Sequence, residues 1–153
     1  MTQPGSIQHN STQSRMKLLG YAGLLPFLLL AMAVHLLSAD AALCALASLQ
    51  HYAAVILTFV GAVHWGRALA KPENTQEEHQ RLYWAISPSL IGWIALSLPL
   101  SVAMVVLIAA FLLCWWIDRT MYAGQPFTDW YMAMRLHLTV GVVAGLIIGW
   151  TGI

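Results

Sequence analysis

Charge is what this chain most lacks. Charged residues make up 8% of its 153 positions and hydrophobic residues 59%, far from the roughly 25% charged that a soluble domain carries. Nothing remains outside the apolar stretches for a folded soluble domain, so any activity must lie between helices or at their ends. No nucleic-acid partner is expected. Cysteine is nearly absent as well. Cys44 and Cys114 are separated by the thickness of a membrane in the topology below, far beyond the about 5.5 Å between alpha carbons that a disulfide allows. They are not a metal pair, and packing is the expected role of Cys114. No catalytic triad, phosphate loop or metal-ligand spacing occurs, which leaves an enzyme without residues to rest on.

Five apolar stretches are present, over 18–37, 49–70, 82–98, 101–117 and 131–153. A hydrocarbon core of about 30 Å takes roughly 20 apolar residues to cross. The expected fold is an all-α membrane protein with five transmembrane helices in one domain over 18–153. Residues 1–17 form a cytoplasmic tail, polar and expected to be disordered. Pro99 and Leu100 are all that separate the third and fourth stretches. A single helix over 87–117 would be about 46 Å long, and Pro99 cannot continue a helix, so a tight hairpin is expected. Ala39-Asp40-Ala41 looks like a signal cleavage site. The run before it is longer than the usual 7–15 residues of a signal core, which favours a span.

Basic residues are missing from three of the six exposed segments. Arg15 and Lys17 precede the first stretch, Arg67, Lys71 and Arg81 surround the second gap of the threaded chain, and Arg119 and Arg135 surround the fourth. The other three segments hold only Asp40. Basic residues stay in the cytoplasm during insertion, so the N-terminus is expected inside and the C-terminus on the outer face. Trp65, Trp84, Trp115, Trp116 and Trp130 gather toward the inner interface and Trp150 toward the outer one, as an aromatic belt does. Trp93 is expected near mid-membrane. The polar loop over 71–81 contains Pro72, and Thr128 or Asp129 can cap the fifth helix.

Gly141, Gly145 and Gly149 recur every four residues and form a smooth seam for a neighbouring backbone. His137 lies one step earlier and is expected to face protein. Ala54, Thr58, Ala62 and Gly66 form a similar row. Such seams can meet inside one chain or between copies. Ser87 and Pro88 are expected to be an N-cap followed by proline at the first helical position, with 82–86 a short interfacial segment. The competing reading is a kink that opens carbonyls toward a cavity.

Ionisable groups within a membrane cost several kcal/mol unless paired or hydrated. His64, Arg67 and Lys71 fall at i, i+3 and i+7 on one helical face. Asp118 ends the fourth helix at similar depth and Arg135 opens the fifth. A cytoplasm-facing cluster of His64, Arg67, Asp118 and Arg135, with His137 nearby, is geometrically open to the chain. The plainer account makes Arg67, Lys71 and Arg135 snorkelling anchors and Asp118 the partner of an arginine. His64 lies a turn deeper than Arg67, and imidazole can change charge near neutral pH. Haem would need the pairs His35–His51 and His64–His137. Thirteen residues separate His51 from His64, about 220° around a helix, so haem is not expected and no cofactor is assigned.

Four segments then carry a family resemblance: LGYAGLLPF over 19–27, AVILTFVGAVHWG over 54–66, SPSLIGWIALSLP over 87–99 and WYMAMRLHLT over 130–139. The chain resembles the DUF3429 family, bacterial relatives of the transmembrane protein 69 group of mitochondria. His64-Trp65-Gly66 is the most specific match. The resemblance implies a five-helix protein of the bacterial inner membrane or of mitochondria, and brings no activity. It singles out His64 among the histidines, with Trp65, Gly66, Asp118 and Arg135. Gly61 and Gly66 are expected to let a backbone or ligand approach the imidazole. The leading expectation is an assembly module that meets other membrane proteins, or a second copy, through its glycine seams. The alternative is a binding or transport unit with His64 as ligand contact, Arg67 and Arg135 as anion contacts and Asp118 as counterion. A haem protein ranks third.

Overall fold

The computed structural model describes residues 4–70, 75–121 and 129–152. Among these the chain is all helix and short turns: α1 Pro4–Ala22, α2 Leu25–Leu36, α3 Ala39–Ala70, α4 Gln76–Leu96, α5 Leu100–Met121 and α6 Asp129–Trp150. Lys71, Pro72 and Thr128 lie outside the described residues.

Several boundaries differ from those expected. Helix α1 begins at Pro4, where a structureless tail was the expectation. The first stretch is not one rod but breaks at Gly23 and Leu24. Pro26, in the first turn of α2, has no N–H to give the carbonyl of Ala22, and its ring excludes a continuing helix. From α3, the Tyr52 hydroxyl donates to the Gly23 carbonyl at 2.9 Å, which satisfies one of the acceptors freed at the break. Helix α3 starts ten residues before the expected 49. Its added turns are rich in Ala and Leu, place Asp40 at the positive end of the helix dipole and bury Ala42, Ala45 and Leu46.

Helix α4 likewise starts at Gln76 rather than 82. Thr75 is its N-cap, with Oγ1 accepting from the Glu78 N–H at 3.2 Å. Pro88 therefore sits inside a helix already under way, which overturns the expected cap at Ser87. The missing N–H leaves the Trp84 carbonyl without its helical donor. By length and composition alone, fewer spans stand out than the five expected. Among the described residues, four segments are long and apolar enough to cross a membrane, Thr12–Leu36, Ala39–Ala70, Leu100–Met121 and Asp129–Trp150. Helix α4 is not one of them, because six polar residues open it and Ser87, Pro88 and Ser89 interrupt its apolar half.

Helix α3 is the centre of the bundle. It packs against α2, α4, α5 and α6, while α2, α6, α5 and α4 follow one another in an arc around it. Small residues set the closest approaches. A Cβ at Gly61 would lie 2.5 Å from the Ala85 carbonyl oxygen, and one at Gly92 would lie 3.2 Å from that of Ala54. Gln50 adds a buried hydrogen bond from Nε2 to the Ala95 carbonyl at 2.8 Å. The core is filled by Phe27, Leu49, Leu57, Met104, Leu107 and Phe111, with Phe27 edge-on to Phe111 at 6.4 Å between ring centres. Phe59, Leu69 and Trp93 point outward, as side chains facing lipid do.

The glycine seam of α6 is filled from within the chain. Gly141 faces the side chain of Leu24, Gly145 faces Phe27, and Gly149 faces Leu49 and the backbone of Ala31. The partner of this seam is thus mainly α2, while α6 also packs against α5. His137, expected to face protein on the same line, is exposed and shares a 3.0 Å hydrogen bond with the Tyr21 hydroxyl. The seam runs past the break at Gly23, and α1 does not close over His137. In the second row only Ala54 is buried, and Thr58, Ala62 and Gly66 are exposed.

Candidate functional site

Three helices each carry a stripe of buried residues at three- and four-residue spacing, and each stripe ends in an ionisable group. On α3 the stripe runs Ala53, Leu57, Gly61, His64. On α5 it runs Leu107, Phe111, Cys114, Asp118. On α6 it starts from Arg135 and continues through Thr139, Val142 and Leu146. Continuing an apolar stripe with a polar residue turns that residue into the bundle. The three groups meet there.

The carboxylate of Asp118 is the hub. His64 Nε2–H donates to Oδ1 at 2.8 Å, and Arg135 donates to Oδ2 from Nε at 3.0 Å and from Nη2 at 2.6 Å. His64 is 2% exposed, Asp118 2% and Arg135 6%. Arg135 is therefore no interfacial anchor, contrary to the plainer expectation. Burial at this level demands pairing, since an unpaired charge in such a place costs several kcal/mol. Among the described residues, no three His, Cys, Asp or Glu side chains converge as a metal site.

The remaining members of the expected cluster lie elsewhere. Arg67 is half-buried and lines a cleft shared with Arg135. Trp65 is exposed, and a Cβ at Gly66 would meet nothing within 4 Å. Of the His64-Trp65-Gly66 triplet, only the histidine enters the centre. Gly61 does admit a backbone, but it is that of α4 at Ala85, not a ligand. The other histidines are engaged separately: His35 Nε2–H donates to the Ile148 carbonyl at 2.8 Å, and exposed His51 uses Nδ1 at the Ala47 carbonyl.

Sequence reasoning missed the cleft. Helix α1 leans on α6, with Lys17 Nζ 5.6 Å from the centre of the Trp130 ring. It leaves a half-open space of about 780 Å³ between α1, α3 and α6. Leu19, Leu24, Ile56, Val60 and Val142 wall it, and Phe27 and Phe111 lie at its deep end. Arg67, Arg135 and Thr139 also line it. Arg135 thus belongs to both the buried centre and the cleft wall. The break caused by Pro26 was the signal in the sequence, because a helix that bends there cannot follow α3 along its whole length.

A family model described as a protein of unknown function, DUF3429, matches residues 12–151. The chain belongs to the DUF3429 family. Transmembrane protein 69 of Xenopus tropicalis is 29% identical to it over 131 residues, which cover 84% of this chain and 51% of that protein. The DUF3429 chain thus spans about half the length of this curated relative. No solved structure matches it. Its apolar helices and its relative mark it as a transmembrane protein.

Proposed function

We propose that this chain is a five-span protein of the bacterial inner membrane that binds a small molecule between its helices. Its N-terminus lies in the cytoplasm and its C-terminus on the outer face. The one-sided distribution of the seven basic residues supports that orientation. Helix α4 is the fifth span, with its polar opening turns in the cytoplasmic interface.

One observation carries the binding role: Arg135 is shared between a buried ion-pair centre and an apolar cleft. The centre fixes the guanidinium in place, and the cleft supplies room beside it. A volume of about 780 Å³ falls within the roughly 300–1,000 Å³ of small-molecule sites. An assembly role has less to stand on, since α2 occupies the glycine seam that would carry it. The bilayer is the partner this function requires, and the chemistry proposed needs no cofactor.

Native mass spectrometry of the protein extracted in mild detergent tests this. The expected species is the 16.8 kDa chain plus a small-molecule increment that disappears when Val63→Trp fills the cleft. A chain with no such increment, whether alone or as two copies, overturns the proposal.

A further inference from the structure

The lining of the cleft selects among ligands, and naming its occupant rests on the binding role above. Two arginines, Arg67 and Arg135, line the cleft, and no acidic residue does so among the described residues. Asp118 is turned away into the bundle with both oxygens bonded. Arg135 uses Nε and Nη2 on Asp118, and its third nitrogen, Nη1, makes no hydrogen bond among the described residues. A guanidinium carries five N–H donors in a fixed fork, so donors remain on the cleft wall.

Thr139 follows Arg135 by four residues on the same face of α6. It lines the cleft, is 3% exposed, and its hydroxyl has no hydrogen-bond partner. A helical threonine normally returns its hydroxyl to the carbonyl three or four residues back, and an unpartnered buried hydroxyl is costly. Beyond Thr139 the wall is apolar as far as Val142, Phe27 and Phe111. Trp130, at the mouth, and Val142 are about 18 Å apart along the helix. The cleft therefore has a guanidinium end, a hydroxyl one turn deeper, and a long apolar end.

We propose that this cleft binds an acyl chain whose head carries an anionic oxygen group. The head lies against the Arg135 guanidinium, a carboxyl or ester oxygen accepts from the Thr139 hydroxyl, and the tail runs toward Phe27 and Phe111. A fatty-acid carboxylate and the phosphate of an acidic phospholipid both have this chemistry. Either amphiphile would reach the cleft from the bilayer without passage through water.

The test uses the full chain in phosphatidylcholine nanodiscs titrated with dibromostearate, whose bromines quench tryptophan at short range. Quenching is expected to saturate and to rise sharply in Phe111→Trp, which places an indole beside the tail at the deep end of the cleft. The methyl ester of the same acid should bind at least tenfold more weakly. Thr139→Val should weaken binding by about tenfold, the worth of one hydrogen bond to a charged group, without lowering the melting temperature. Displacement by phosphatidic acid would assign the head to a phospholipid, and resistance to it would assign a free carboxylate. Equal quenching by acid, methyl ester and brominated phosphatidylcholine would mean annular lipid only and overturn the proposal, as would an unaltered affinity in Thr139→Val. A neutral or cationic molecule retained in native mass spectrometry would also overturn it while leaving the binding role intact.

Discussion

Arg135 grips a single oxygen of Asp118, Oδ2, with both Nε and Nη2, at 3.0 and 2.6 Å, and so leaves Oδ1 to His64 at 2.8 Å. A carboxylate has about four lone-pair sites on its two oxygens, so one charge can serve side chains from two other helices. Asp118→Asn should therefore be the most damaging change in the centre, because it strands the Arg135 charge. The expected loss is about 3–5 kcal/mol, read from unfolding in detergent micelles. His64→Ala should cost less, about 1–3 kcal/mol, as the loss of one partner. Equal stability of Asp118→Asn and the parent chain would mean that packing alone holds the centre.

Gly61 and Gly66 lie five residues apart and should respond with opposite signs. Gly61→Ala drives a Cβ to 2.5 Å from the Ala85 carbonyl, an overpacking that costs about 1–3 kcal/mol. Gly66→Ala meets no atom within 4 Å and should stabilise α3 by up to about 1 kcal/mol through helix propensity. Melting temperatures of the two variants, measured side by side, decide it. The same sign for both would contradict the close contact of α3 with α4.

Gly145 faces the backbone and Cβ of Phe27. Gly145→Leu should separate α6 from α2 and lower the melting temperature while the species mass in detergent stays that of one chain. A well-folded variant whose only change is from two copies to one would place the seam between molecules instead.

Orientation has a direct readout. Single cysteines introduced at Leu98 and at the C-terminal Ile153 should react with an impermeant maleimide from the outer side of intact cells, and one at Gln76 should not, with Cys44 first replaced by Ser. Labelling at Gln76 and not at Leu98 would reverse the topology. Labelling of Gln76 and Leu98 from the same side would show that α4 does not cross.

His64, Asp118 and Arg135 were legible in the sequence because so few charges interrupt its apolar runs. Depth alone could not distinguish a snorkelling Arg135 from a buried one. The phase did, since Arg135 falls four residues before Thr139 and ten before Gly145, on the buried side of α6. Ser87-Pro88 misled because a cap and a kink share those two residues. The deciding signal lay upstream in Thr75-Gln76-Glu77-Glu78, which has the Thr-x-x-Glu form of a helix start. The early start of α3 went unread because Ala-rich turns with one acid look like an exposed segment when hydrophobic length alone is counted. Pro26 held the clue to the cleft, yet a proline inside a run of leucines was absorbed into the span.

The shared carboxylate also has a consequence in time. The chain is made from its N-terminus, so α3 and α5, bearing His64 and Asp118, enter the membrane before the helix that carries Arg135. Until α6 arrives, Asp118 waits in the bilayer with its Oδ2 unanswered and the groove along α2 empty. Docking of α6 answers both at once, seating glycine against Phe27 as Arg135 reaches the acid. Helix α6, which enters after α3 and α5, is thus the one that commits the bundle. A chain interrupted before Asp129 would hold Asp118 inside the membrane without its Arg135 partner and with His64 on one oxygen.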